Sequence, residues 1–244
     1  MKNLNTIHTS RTIMFAELDK VMSYAIDTGD FEEAFEHNVT GKKSNSGVEK
    51  TKKYLKSLYK FDKNYHPFEA FFHFWKISEP RERQMMAFIY AINHDDLLAE
   101  SIDVLKKTMV GEKAAIELFE SNIESCHPNQ YSPNTKKSLA QNIASSWKQA
   151  GFIEGKVKNI RVTPEINFRI ACLAFLLGYL KGDRSDFIWS STGVKALCLP
   201  ETILRELAIE CSRNDLMQYQ YAGGVTAIGF TNLINKIGID GNKN

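Results

Sequence analysis

Residues 131–164 read YSPNTKKSLAQNIASSWKQAGFIEGKVKNIRVTP. The spacing of the apolar side chains predicts a helix over 135–150. At helical pitch Leu139, Ile143, Trp147 and Ala150 fall within about 80° of one another and form a packing face. Lys137, Ser138, Gln141, Asn142, Ser145 and Lys148 fall on the other side, and none of them is acidic. Amides and hydroxyls can hydrogen-bond phosphates or base edges, and the lysines at either end add positive charge. Gly151 is the expected helix stop, because glycine takes the left-handed conformation without a Cβ clash. Phe152 and Ile153 then open a short hairpin decorated by Lys156, Lys158 and Arg161.

A second stretch, residues 200–230, repeats the plan with different chemistry: PETILRELAIECSRNDLMQYQYAGGVTAIGF. Pro200 opens a helix that runs to Arg213. Alternation over 216–221 and 225–230 around Ala222-Gly223-Gly224 predicts a β-hairpin. Its helix carries Glu201, Glu206 and Glu210 against Arg205 and Arg213, and the hairpin is uncharged. Protein contact or a scaffold role suits it better than nucleic acid. A helix followed by a two-stranded wing is the plan by which winged-helix modules present side chains to a nucleic-acid groove.

Outward from these units the chain is dominated by helical periodicity. Helices are expected over 12–26, from Asp30 through Phe35, over 48–59, from His66-Pro67 onward, from Pro80 to about Ile92 with Ser78 as N-cap, through Leu105, and over 114–123. Asn93, His94 and Asp95 mark a break, and His94-Asp95-Asp96 lies at a helix boundary, where Asp is a common N-cap. Phe68, Phe71, Phe72, Phe74 and Trp75 on one short helix are expected to be core, although such a set could also stack bases. His127-Pro128 and Ser132-Pro133 bracket an expected linker. The domain reading is therefore a helical bundle over 1–125 and a winged-helix-like region with two hairpins over 126–244. Residues 168–180 (FRIACLAFLLGYL) are too few for a span of about 20 residues, and Arg169 interrupts them, so a buried helix is expected and no membrane partner.

The net charge of the 244 residues is only +2, but it is unevenly distributed. In 40–66, Lys42, Lys43, Lys50, Lys52, Lys53, Lys56, Lys60 and Lys63 face only Glu49 and Asp62. In 131–161, Lys136, Lys137, Lys148, Lys156, Lys158 and Arg161 face only Glu154. Two basic islands on a near-neutral chain suit a polyanion surface. Cys126, Cys172, Cys198 and Cys211 are scattered, which suits reduced thiols in the cytoplasm. No histidine pair has zinc spacing, and no phosphate loop, dinucleotide fingerprint or nucleophile elbow occurs. No cofactor, metal or catalytic residue is therefore assigned, and His94-Asp95-Asp96 reads as a helix boundary.

Residues 38–58 (NVTGKKSNSGVEKTKKYLKSL) and 83–105 (RQMMAFIYAINHDDLLAESIDVL) resemble the BrxA family of bacterial phage-exclusion systems. The shared features are an asparagine before a basic turn and helix, then an Ala/Leu-rich helix pair around a polar break. The resemblance covers the first half of the chain, and the aromatic helix around Phe71 to Trp75 departs from it. It implies a helical, non-enzymatic accessory protein, NusB-like in its bundle, that binds DNA beside other defence proteins. In the matched region it implies Lys42, Lys43, Lys50, Lys52, Lys53 and Lys56 as backbone contacts. The resulting expectation is a mainly α, non-enzymatic, cytoplasmic protein that binds double-stranded DNA, with no set oligomeric state. RNA binding, or a protein-interaction subunit of a larger complex, is the alternative.

Overall fold

The computed structural model describes residues 4–155 and 157–239. Among these the fold is mainly helical, with two short antiparallel hairpins. The chain divides into two compact units, Met1–Phe61 with Arg83–Pro164, and Asp62–Glu82 with Glu165–Asn244. This differs from the boundary expected between 125 and 126. The segment expected to be a linker is a turn within one unit, and the aromatic helix belongs with the later residues.

In the first unit α1 (Phe15–Thr28) ends at Gly29, whose φ of 78° is left-handed. Asp30 accepts from the N–H groups of Glu32 and Glu33 and so starts α2 (Phe31–Glu36). Ser44 caps α3 (Asn45–Tyr59) by accepting from Gly47 N–H. The aromatic helix α4 (His66–Ile77) intervenes in sequence but packs in the second unit. Helix α5 (Pro80–Ile92) supplies Met85–Ile92 to the first core, all buried. The helix expected through Leu105 breaks at Ser101 into α6 (Asp96–Glu100) and α7 (Ile102–Lys107), because the Ser101 hydroxyl donates to Leu98 O and accepts from Trp147 Nε1. Helices α8 (Ile116–Cys126) and α9 (Pro133–Gln149) pack on each other across the 127–132 turn.

Ser132 caps α9, and Gly151 follows it at φ 82°. Strands β1 (Ile153–Glu154) and β2 (Ile160–Arg161) pair with Ile153 opposite Arg161. A third extended segment joins them: Lys113 bridges Ile160, Gly111 N–H donates to Arg161 O, and Arg161 N–H donates to Glu112 O. The order is thus helix, single bridging residue, helix, helix, hairpin. The four expected packing residues of α9, Leu139, Ile143, Trp147 and Ala150, are all buried. Trp147 sits 4.5 Å from Phe88 and 5.0 Å from Phe152 between ring centroids. The first hairpin is therefore tied to the core through its first residue.

Ser78 does not cap α5. Its hydroxyl donates back to Trp75 O, and Glu82 instead accepts from Glu79 N–H. Helix α1 starts three residues later than expected, because Met14 at φ 53° turns the chain out of the preceding segment.

In the second unit α4 buries Phe68, Phe71, Phe72, Phe74 and Trp75, as expected for core. Asn167 caps α10 (Phe168–Leu180), which is buried from Ile170 to Gly178 and packs on α4. A 3-10 turn (Ser185–Ser190) and the short α11 (Thr192–Ala196) lead to α12 (Glu201–Arg213). Strands β3 (Gln218–Ala222) and β4 (Val225–Gly229) form the expected hairpin around Gly223-Gly224, and α13 (Thr231–Ile237) follows. The four cysteines are free thiols. No helix among the described residues is long and apolar enough to cross a membrane.

Gly178 faces Ser191 so closely that a Cβ on it would stand 2.8 Å from both Cβ and Oγ of Ser191. Gly178→Ala should therefore lower stability by about 1–3 kcal/mol through overpacking, read as a shifted urea midpoint at unchanged slope.

Candidate nucleic-acid interface

Helix α9 contains no acidic residue from end to end. Lys137, Ser138 and Gln141 are exposed along it, and Ser145 is half-buried. The rest of the expected polar face is engaged. Residues 7–15 lie along its flank: Asn142 Nδ2 donates to His8 O, Gln149 Nε2 donates to Thr12 Oγ1, and Gln149 Oε1 accepts from Phe15 N–H. Lys148 Nζ reaches Gly155 O and Asn159 Oδ1, both at 2.8 Å, and so closes the hairpin loop. Arg161 is buried. Alternation in β2 turns it inward over the Phe152 ring, where its guanidinium donates to Phe152 O and Val162 O. On the hairpin Lys158 is exposed, and Lys156 lies outside the described residues.

The island around α3 also divides. Lys42 pairs with Glu17 at 2.7 Å, and Glu32 on α2 takes both Lys52 (2.9 Å) and Lys56. Those two lysines hold the Glu32 carboxyl below the ordinary range. The open hollow of about 350 Å³ at the start of α3 is lined by Glu36 and Glu49 as well as Lys42 and Lys43. Lys43, Lys50 and Lys53 remain exposed, with no carboxylate within ion-pair distance among the described residues.

Sequence reading missed Arg11. Its guanidinium lies 5.1 Å over the Tyr54 ring of α3. The same segment binds α9, and Tyr59 Oη donates to Ile13 O at 2.7 Å. Residues 7–15 therefore join α3 and α9 and bring one further cation to the lysine-bearing helix. Nothing local in MKNLNTIHTSR signals this, because the contact depends on tertiary placement.

That segment is held by a buried polar relay. His8 Nδ1 lies 2.8 Å from Asp95 Oδ2 and His8 Nε2 lies 2.8 Å from Ser146 Oγ. Asp95 also accepts from Ile7 N–H, Thr6 Oγ1 and Leu98 N–H, so it caps α6 as expected. Ser146 Oγ accepts from Ile13 N–H and donates to Asn142 O. Ser146 Oγ is thus shared between the His8 ring, the Ile13 N–H and the Asn142 carbonyl. Burial alone would raise the Asp95 carboxyl, yet the charge and hydrogen bond of His8, with the N–H groups of Leu98 and Ile7, hold it below the ordinary value. The constellation has the residue types of a nucleophile, base and orienter, but all three are buried, and Ser146 Oγ also lies within hydrogen-bond distance of the Asn142 carbonyl. It acts as a clamp.

Among the described residues no group of three or more His, Cys, Asp or Glu could hold a metal ion. No family model, curated protein or solved structure matches the chain.

Asp95→Asn keeps the shape and removes the charge. It should cost about 1–3 kcal/mol near neutral pH, because it removes the buried carboxylate that accepts from Thr6, Ile7 and Leu98 and pairs with the His8 ring. Stabilisation from Asp95 is complete above its ordinary value of 3.8 and is lost as pH falls through the lower folded value. Urea unfolding from about pH 5 down to about pH 2 should therefore show a flatter acid limb in the variant than in the native chain.

Proposed function

We propose that the protein is a non-enzymatic, cytoplasmic accessory protein that binds double-stranded DNA, chiefly through phosphates. The observation that carries this reading is the acid-free helix α9, set directly before a hairpin in the order helix, single bridging residue, helix, helix, hairpin. That order follows the plan of winged-helix modules, and α9 stands where such modules carry their groove-facing helix. The exposed Lys137, Lys158, Lys43, Lys50 and Lys53, with Arg11, are the cations that support it. The sealed His8–Asp95–Ser146 relay gives no support to a catalytic role. The likeness of residues 38–58 and 83–105 to the BrxA family supports an accessory part in phage exclusion, beside other defence proteins.

Base reading is a small part of this proposal. Asn142, a natural adenine reader, is engaged on His8 O, and of the amide side chains named for the groove only Gln141 is exposed. Phosphate contact by lysine carries no sequence information, so binding is expected to depend on charge and salt.

With about four cations engaged, the logarithm of affinity for a DNA duplex should fall against log salt with a slope of about −4. The variant Lys50→Glu, Lys53→Glu, Lys137→Glu should lose at least about tenfold in affinity at roughly 100 mM salt while keeping its circular dichroism and melting temperature. An electrophoretic shift across a salt series reads both effects. Unchanged affinity removes these lysines from the interface. Preferential competition by structured RNA replaces duplex DNA as the ligand.

A further inference from the structure

The second unit repeats the module of the first. In the first, α6 and α7, the Lys113 bridge, α8, α9 and the β1–β2 hairpin follow in order. In the second, α10, a 3-10 turn, α11, α12 and the β3–β4 hairpin follow in the same order. The turn takes the place of the bridging segment: it packs on β4, and Ser185 Oγ donates to Thr226 O at 2.6 Å.

The third helices align residue by residue from their caps, Ser132 and Pro200. Leu139, Ala140 and Ile143 correspond to Leu207, Ala208 and Cys211, and all six are buried. The core register is therefore shared. The outward positions are not. Ser138, Gln141 and Asn142 of α9 correspond to Glu206, Ile209 and Glu210 of α12. Two carboxylates and an isoleucine stand where α9 has a hydroxyl and two amides. At about 100° per residue Ile203, Glu206, Ile209 and Glu210 share one arc of roughly 120°, and all four are exposed, Ile209 by 42%.

Arg205 stands at the position of Lys137 but is not available to a phosphate. It pairs with Glu201 at 2.6 Å and Asp186 at 3.3 Å, and donates to Tyr219 Oη and Thr226 Oγ1. Its guanidinium lies 5.2 Å from the Trp189 ring centroid and 4.1 Å from that of Tyr221. This hub ties α12, the 3-10 turn and the hairpin together. Tyr221 of this hub is 54% exposed, and Phe187, next in sequence to Asp186, is 75% exposed. The face thus combines uncovered apolar side chains with the carboxylates of Glu206 and Glu210, which outnumber the exposed cation that α12 places on the same arc, Arg213.

We infer that this face of the second unit, Ile209, Glu206 and Glu210 of α12 with Tyr221 and Phe187 beside the Arg205 hub, docks a cationic segment of another protein that carries an apolar ridge. Charge complementarity selects that occupant. The carboxylates repel nucleic acid and favour Lys or Arg on the partner's rim, while the exposed Ile209, Tyr221 and Phe187 supply apolar area for the ridge. The inference does not rest on DNA binding by the first unit.

The test uses the full chain and two fluorescent amphipathic helical peptides of about 18 residues, one of Leu and Lys and one of Leu and Glu. The Leu/Lys peptide should bind in an anisotropy titration and the Leu/Glu peptide should not. Ile209→Ser, which leaves every charge in place, and Glu206→Lys with Glu210→Lys should each weaken Leu/Lys binding at least about tenfold. All three positions are exposed, so melting temperature should hold, and it serves as the folding control. Equal binding of both peptides, or Leu/Lys binding that survives Ile209→Ser, overturns the inference. So does self-association in sedimentation that Ile209→Ser abolishes, since the occupant is then a second copy. Loss of duplex binding in the Lys50, Lys53, Lys137 variant leaves the peptide result unchanged.

Discussion

The first unit depends on a hydrogen bond out of reach of water, His8 with Asp95. Burying a carboxylate costs several kcal/mol, and a partner offsets this only when the remaining donors and acceptors are also satisfied. Here they are. Asp95 accepts from two backbone N–H groups and the Thr6 hydroxyl as well as from the ring, and the far ring nitrogen ends on Ser146. One of those backbone groups is Leu98 N–H, so the pair also completes the start of α6. Residues from three distant parts of the sequence are fixed by one group of hydrogen bonds. Removing any one leaves a charge or a donor stranded in a dry interior.

The clamp also determines which side chains can meet a ligand. By holding residues 7–15 on α9 it covers the flank with Asn142, Ser146 and Gln149 and leaves the flank with Lys137 and Gln141 open. The same segment carries Arg11 onto Tyr54. A helix that looks uniformly polar in sequence thus has a structural half and a solvent half. The lysines of α3 sort in the same way. Glu32 on α2 takes those facing it, and Lys50 and Lys53 point away.

The helical class, the packing face of α9, both hairpins and the helix starts at Asp30, around Asp95 and at Pro200 were legible, because they rest on local periodicity and turn chemistry. The division into units was not. It depends on α4 packing with α10, nearly a hundred residues later, and no local pattern encodes that pairing. The pairing of Lys113 with Ile160 was hidden for the same reason, since a single bridge has no period. Among the cations, sequence gives the count but not the partner. Arg161 follows one residue after Ile160 on a two-residue strand, and only the position of Phe152 makes it the inward one. His8 stands alone in a polar leader, and its meaning depends on residues 95 and 146.

Comparison of the two modules separates what the scaffold requires from what it leaves free. Three positions that face the core are buried and apolar in both third helices, Leu-Ala in each and Ile143 matched by the smaller Cys211, whereas the buried Leu204 corresponds to the half-buried Lys136. Positions that face water change sign and polarity within the same geometry. A buried position answers to close packing, where a methylene is felt, whereas an exposed one contributes little to stability and can change with the ligand. The lysine at 137 and the arginine at 205 make the point most directly. Each is a cation at the same helical step, but Arg205 is surrounded by Asp186, Glu201 and two aromatic rings and has become part of the packing. Lys137 has no such neighbours among the described residues and keeps its charge for solvent or a ligand. A count of basic residues treats these two as equal, and their surroundings give them opposite roles.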